Sequence, residues 1–286
     1  MADSIDLARH RYAEELRFTA RVASGAVVAA FATVPREQFV GTGPWRIKSP
    51  MNIVEYWTTP DADPHHVYHD VLIALDGTRD LNNGQPSLWA FLFDQLGIRA
   101  NDEVLHLGCG TGYYTAVAAE LAGPKGKIRA IEIDATLAAK ARDALTQWPQ
   151  VVVENSDGAA TSFDPADVIL ASAGATHILQ SWLNALKPEG RLLFPMTSAG
   201  RGPGAMLLIT RRDEGKYTAR FLCRAGFIEF QGARQENMSR RLAAALRRDL
   251  GSSVKSLRRD VHTRSETCWL HGRGWCLSRL CHRYKT

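Results

Sequence analysis

No apolar run in this sequence is long enough to cross a bilayer. The longest, Val22 to Val34, is interrupted by Ser24 and Gly25, whereas a spanning helix needs about 20 apolar residues. The first turns of chain carry Asp3, Asp6, Arg9, Arg11, Glu14 and Glu15 where an export signal needs an apolar stretch, so a cytoplasmic enzyme is expected. Cysteine is scarce. Cys109, Cys223, Cys268, Cys276 and Cys281 are an odd number in a long chain, which argues against a disulfide framework and for reduced thiols. Charge of one sign is also in short supply: 35 Lys and Arg stand against 30 acids. The net +5 is mild and lies mostly after Arg234. Several signatures are missing outright: the Gly-Lys-Ser/Thr of a phosphate loop, the Pro-Pro-Tyr/Phe of amino-directed nucleic-acid methyltransferases, and a Pro-Cys pair for attack on cytosine.

What is present is ordinary globular composition, 45% hydrophobic and 23% charged over 286 residues, enough for one large or two unequal domains. Leu7 to about Phe31 has helix-forming composition. Gly41 to Pro64, with Gly41, Gly43, Pro44, Pro50, Pro60 and Pro64, reads as an irregular, exposed cover. Leu88, Phe91, Leu92 and Leu96 recur at helical spacing behind Pro86 and Ser87. From Asp102 the period changes. Strands at Val104–Leu107, Lys127–Ile133, Val151–Glu154, Val168–Ser172 and Arg191–Phe194 alternate with helices at Tyr114–Leu121, Ala135–Leu145 and His177–Leu186. That alternation predicts an α/β fold, a doubly wound, mostly parallel sheet covered on both faces. Met206–Thr210 and Tyr217–Cys223 read as an edge hairpin. The predicted organisation is an N-terminal segment over 1–80, a catalytic domain over 81–225 and a basic extension over 226–286.

The chemistry gathers on Gly108-Cys109-Gly110-Thr111-Gly112, between a strand and a helix. Glycines there let backbone N–H groups and a helix N-terminus approach a nucleotide-like ligand. A dinucleotide fingerprint wants its third glycine at position 113, which is Tyr, so the nicotinamide reading fails. The compact Gly-x-Gly-x-Gly resembles motif I of class I S-adenosylmethionine methyltransferases. Glu132, 24 residues beyond Gly108 at the end of the next strand, has the spacing of a carboxylate that accepts from both ribose hydroxyls. Asp157-Gly158, past the third strand, could bond an adenine amino group.

A narrower resemblance rests on Val34-Pro-Arg-Glu-Gln-Phe-Val40, Tyr68-His69-Asp70, Gly84-Gln85-Pro86, Ser156-Asp157-Gly158 and Leu186-Lys-Pro-Glu-Gly-Arg-Leu-Leu-Phe-Pro195. Over roughly residues 17 to 225 the chain resembles the protein-L-isoaspartate O-methyltransferase family. The resemblance implies a seven-stranded Rossmann-like sheet, S-adenosylmethionine as cofactor and methyl transfer to a carboxylate of a peptide or small molecule. It assigns the cofactor to Gln85, His106, Gly108, Cys109, Gly110, Thr111, Gly112, Glu132, Ile133, Asp157, Gly158 and Ser172, and the acceptor side to Asn82, Asn83 and Asp70. Tyr68 and Asp70 are expected near the active-site entrance. A carboxylate is already ionised at neutral pH, so no general base is required. The chain departs from the family at Asn82-Asn83-Gly84, where the family carries Thr-Ile-Ser, and at His106, where it usually carries an acid. Two alternatives follow: a methyltransferase redirected to another acceptor, or a module that binds cofactor without turnover.

Around the C-terminus, Cys268, His271, Cys276, Cys281 and His282 offer soft ligands, but their spacing matches no familiar zinc knuckle. The expectation is no metal, with Trp269, Trp275 and Leu277 packing the tail onto the catalytic domain. His65, His66 and His69 are read as loop histidines. Arg240 to Arg264 is read as a solvated helix face and its exit; nucleic acid is not the expected partner, nor is a membrane. Oligomeric state is left open.

Overall fold

The computed structural model describes residues 4–160, 162–200, 202–212 and 215–281. The chain divides into two compact units, Met1–Asp102 with Cys109–Asn155, and Glu103–Gly108 with Ser156–Thr286. This division passes within the stretch read from sequence as one catalytic domain.

The first unit opens with α1 (Ile5–Thr19) and α2 (Gly25–Thr33), each started by a serine, Ser4 or Ser24, whose hydroxyl accepts an N–H of the first turn. Strands β1 (Arg46–Ser49), β2 (Asn52–Thr58), β3 (Leu72–Asp76) and β4 (Leu81–Asn82) form an antiparallel sheet in the order β2-β1-β3-β4. The expectation of an irregular segment over 41–64 is therefore corrected. Its glycines and prolines fall at strand ends and in the β1–β2 turn, leaving Arg46–Ser49 and Asn52–Thr58 free to pair. Next comes α3 (Pro86–Leu96), with proline in the first turn and Gly97 at φ +60 closing it.

Arg36 is fully buried and organises this unit. Its Nη1 donates to the carbonyls of Val67 and His69 at 2.7 and 2.8 Å, and its Nη2 to that of Val71 at 2.7 Å. The guanidinium also faces the rings of Tyr12 and Tyr113 at 5.8 and 5.7 Å. Strand β5 (Glu103–Leu107) belongs to the second unit. The first resumes with α4 (Tyr113–Ala122), β6 (Lys127–Glu132), α5 (Ala135–Ala144) and β7 (Val151–Asn155), with β6 and β7 parallel.

In the second unit β5 runs parallel to β8 (Ala166–Ala171), and β8 parallel to β9 (Leu186–Thr197). The predicted helix over His177–Leu186 contracts to α6 (Gln180–Asn184), because Thr176 N–H is drawn to the Ala233 carbonyl at 3.0 Å and Leu186 already opens β9. The edge hairpin is β10 (Gly204–Arg211) with β11 (Tyr217–Arg224), antiparallel to each other and to β9. Strands β5 to β11 make the expected seven, in an α/β architecture.

The extension is more structured than its sequence suggests. It folds as α7 (Glu236–Asp249), which buries Met238, Leu242, Ala245 and Leu246 at helical spacing, then β12 (Ser256–Arg258), β13 (Cys268–Gly272) and β14 (Trp275–Ser278). These three strands continue antiparallel from β11 in the order β11-β12-β14-β13. Trp269, Trp275 and Leu277 are buried as expected. The arginines, however, are not simply solvated. Arg241 donates to the His271 carbonyl at 2.6 Å, Arg258 pairs with Asp260 at 2.5 Å, and Arg259 reaches Asn184 and Gln180 at 2.8 and 3.0 Å. Among the described residues no helix is long and apolar enough to cross a membrane.

Candidate active site

The turn after β5 is held by backbone bonds and one carboxylate. Cys109 N–H donates to the Ile131 carbonyl at 3.1 Å, and Gly112 N–H to the Cys109 carbonyl at 3.0 Å. Gly110 N–H donates to Glu132 Oε2 at 2.8 Å and Asp134 N–H to Oε1 at 3.0 Å. The Ile133 N–H also bonds this carboxylate, which still leaves it room to accept from a ligand hydroxyl. Glu132 is only 6% exposed. Burial raises its carboxyl pKa, and the backbone N–H groups pull against that. Asn155 Nδ2 holds the adjoining strand end by donating to the carbonyls of Glu132 and Ile133 at 2.8 and 3.0 Å. Beside it the Ile133 side chain is 42% exposed, an apolar surface without cover.

Gly112 explains why this turn needs glycine. It sits at φ +95, and a Cβ there would lie 2.7 Å from Leu145 Cδ1. Gly108 and Gly110 also have positive φ, +73 and +58. Thr111 and Cys109 turn away from ligand chemistry: the Thr111 hydroxyl donates to the Phe39 carbonyl at 2.6 Å, and burial pushes the Cys109 thiol far up.

On the second unit, His106 is buried, and a ring nitrogen meets Ser172 Oγ at 2.8 Å. Burial lowers its pKa to about 3, so the imidazole is neutral and supplies no charge where the family has an acid. Ser172 is tied further by its N–H to the Leu107 carbonyl at 2.9 Å. Asp157 Oδ1 accepts the Ala159 N–H at 2.8 Å, while the neighbouring Ser156 hydroxyl is buried without a partner. Gly158 is packed closely: a Cβ would meet Phe230 Cζ at 3.0 Å, and its carbonyl accepts the Trp182 indole at 3.0 Å.

The residues expected on the acceptor side are tied into the fold to different degrees. Asn83 is buried, and its Oδ1 accepts from Ile73 N–H at 3.0 Å and from Arg36 at 3.3 Å, while its Nδ2 is buried with no hydrogen-bond partner. Asp70 accepts Ser87 N–H at 2.8 Å and Gln85 Nε2 at 3.0 Å, capping α3. Gln85, expected on the cofactor, is thereby tied to Asp70. Tyr68 is 4% exposed, donates to Glu37 and accepts from Arg9 Nε at 2.9 Å, so its hydroxyl is spent inside the fold. Asn82 Oδ1 accepts the Gly84 N–H at 3.0 Å, and its side chain also reaches the Tyr56 hydroxyl. At Gly84, φ +77, a Cβ would stand 2.6 Å from Trp89 Nε1, which is why the family serine is not accommodated here. Sequence reasoning missed Arg36 as a positioning residue, although it lies in the Val-Pro-Arg-Glu segment that carries the resemblance.

A glycine-rich turn between a parallel strand and a helix, with an acid closing the turn from the next strand, defines the S-adenosylmethionine-dependent methyltransferase class. The profile of the protein-L-isoaspartate(D-aspartate) O-methyltransferase family matches residues 9–235, and the chain belongs to this family. A relative from Rhodopseudomonas palustris, a protein-L-isoaspartate O-methyltransferase, is 30% identical over 211 residues, 72% of this chain and 85% of the relative. One from Archaeoglobus fulgidus is 29% identical over 213 residues, covering 73% and 85%. The chain spans about half the length of the Thermotoga maritima relative it matches, at 27% identity. A solved protein-L-isoaspartate O-methyltransferase superposes with a TM-score of 0.64 at 24% identity, covering 84% of this chain and 68% of that one.

Proposed function

We propose that this chain transfers the methyl group of S-adenosylmethionine to a peptide carboxylate, with L-isoaspartyl peptides as the first acceptor to test. The observation that carries the reading is the buried Glu132 carboxylate, bonded to Gly110 N–H at 2.8 Å and still able to accept. The backbone of 109–112 receives the amino-acid end of the cofactor, Glu132 accepts from the ribose, and Ile133 covers one face of the adenine. When bound, the cofactor supplies an electrophilic sulfonium methyl. The protein's part is alignment and exclusion of water from an acceptor that arrives ionised.

Cys109 cannot act as a nucleophile, because burial keeps its thiol protonated. His106 is neutral and positions Ser172. Asp70 is spent on capping α3, and the amides of Asn82 and Asn83 are the donors offered to the acceptor carboxylate, Asn83 Nδ2 being buried without a protein partner.

One observation favours a second reading, a redirected acceptor: the indole of Trp89 takes the space a serine at position 84 would need. Incubation with methyl-labelled cofactor and an isoaspartyl peptide separates the readings. Base-labile methyl ester on that peptide supports repair; ester only on other carboxylates supports redirection. Calorimetric binding of S-adenosylhomocysteine with no ester on any acceptor would leave a non-catalytic module. No heat with either form of the cofactor would end the proposal.

A further inference from the structure

The extension beyond the family match brings together four side chains that no sequence spacing suggests. His262, Cys268, His271 and Cys276 each offer a ligand atom, and all four atoms lie within 4.8 Å of one another. His262 comes from the loop after β12; the others come from the β13–β14 hairpin. Cys281 is exposed and outside this set, and His282 lies outside the described residues.

The hairpin is built to make this convergence. His271 pairs directly with Cys276, and Cys268 with Ser278, so all of these residues face one side. Residues 268 and 271 would point to opposite faces of a regular strand. The register shift between Cys268 and Leu270 inserts Trp269 as an extra residue and turns Cys268 back to the face of His271. Trp269 then anchors the other side, donating Nε1 to Asp249 at 2.7 Å and packing on Phe221 with centroids 5.1 Å apart. The cysteines are 6% and 0% exposed.

We propose that these four residues form a closed zinc site, two cysteines and two histidines, that pins the C-terminal hairpin. Tetrahedral zinc, with metal–sulfur about 2.3 Å and metal–nitrogen about 2.0 Å, spaces its ligand atoms about 3.3–3.8 Å apart. His262 Nε2 and Cys268 Sγ already stand at 3.5 Å. The surroundings match what such an ion requires. His262 Nδ1 faces the Asp260 carbonyl at 3.0 Å and its carboxylate at 3.3 Å, which leaves the Nε2 lone pair for a metal. Ser265 N–H donates to Cys268 Sγ at 3.4 Å, as it would to a thiolate. The Nδ1 of His271 is buried with no hydrogen-bond partner, a cost the fold would recover on coordination. Four protein ligands leave no open position, so the role is structural.

The test uses the full chain purified without a histidine tag. After dialysis, elemental analysis should give one zinc per chain, lost in Cys268→Ser and in Cys276→Ser but retained in Cys281→Ser. Asp260→Asn should keep the site and weaken zinc about 10–100-fold in a chelator competition. Because a cysteine variant could fail for want of a folded hairpin, cobalt exchange into the wild-type chain is the second measurement. It should give intense tetrahedral d–d bands and a sulfur-to-cobalt charge-transfer band. Zinc-free wild-type protein that binds no cobalt, or binds it only with a weak octahedral spectrum, overturns the proposal. So does a Cys268–Cys276 disulfide in freshly purified protein.

Discussion

The glycine turn at 108–112 and the hairpin at 268–278 both assemble polar groups in a small space, but by opposite means. In the turn the backbone does the work: three glycines with positive φ and their N–H groups lie within five consecutive residues, and one carboxylate locks them. In the hairpin the backbone only aims, and side chains from a loop and two strands do the gathering. The first kind of site is written along the chain; the second exists only after a strand register has been chosen.

The sharpest way to break this contrast is to remove the lock. Glu132→Ala leaves Gly110 and Asp134 N–H groups without their acceptor and deletes the carboxylate proposed for the ribose. Hydrogen bonds to a charged group are worth about 1.5–3 kcal/mol each, so S-adenosylhomocysteine affinity should fall roughly 100-fold or more by calorimetry. Unchanged affinity would mean the turn binds without its acid.

Gly112→Ala comes next. The new Cβ meets Leu145 at 2.7 Å and forces an L-residue to hold φ +95, so an unfolding free energy loss of about 2–3 kcal/mol is expected in denaturant titration. A cost under about 0.5 kcal/mol, as at an ordinary surface position, would show that the turn is looser than its geometry.

His106 gives a pH signature. Its folded pKa, about 3, lies below the ordinary value of 6.5, so below pH 6.5 the unfolded chain binds a proton that the folded chain does not. The His106 contribution therefore rises with pH between about 3 and 6.5 and is flat above that window. On acidification it removes up to about 1.4 kcal/mol per pH unit, added to whatever the carboxylates do. His106→Asn should flatten that component in chemical denaturation at stepped pH; an unaltered slope would place the proton dependence elsewhere.

These contrasts account for what the sequence disclosed. Strands β5 to β9 were legible because apolar runs, glycine turns and helix stops are local signals, and Gly108, Gly112 and Glu132 sit at fixed offsets along one strand-turn-helix-strand path. Strands β1 and β2 were not, since the prolines that bound them look the same as prolines that fill a loop. Asn83 was the right residue type for gripping a carboxylate, but residue type does not reveal that Ile73 N–H and Arg36 fix its Oδ1, nor that Ser87 N–H and Gln85 claim Asp70 for the start of α3. The tail failed for a third reason. Its ligand spacing was judged without His262, which enters only when β12 and β14 pair, and without the bulge that reverses Cys268.

The smallest expected effect tests the one place where the turn region relies on a side chain's surface rather than on backbone. Ile133 follows Glu132 and is 42% exposed, so in the protein alone it buries little and its truncation should cost no more than about 0.5 kcal/mol of stability. If adenine covers it, Ile133→Ala removes apolar contact at about 25 cal/mol per Å², and a weakening of roughly fivefold in S-adenosylhomocysteine affinity follows from some 40 Å² of lost contact. Paired calorimetry and denaturation separate the terms. Lost affinity at unchanged stability assigns Ile133 to the ligand; lost stability at unchanged affinity returns it to the fold and leaves the acid at 132 as the only side chain of that strand end engaged with the cofactor.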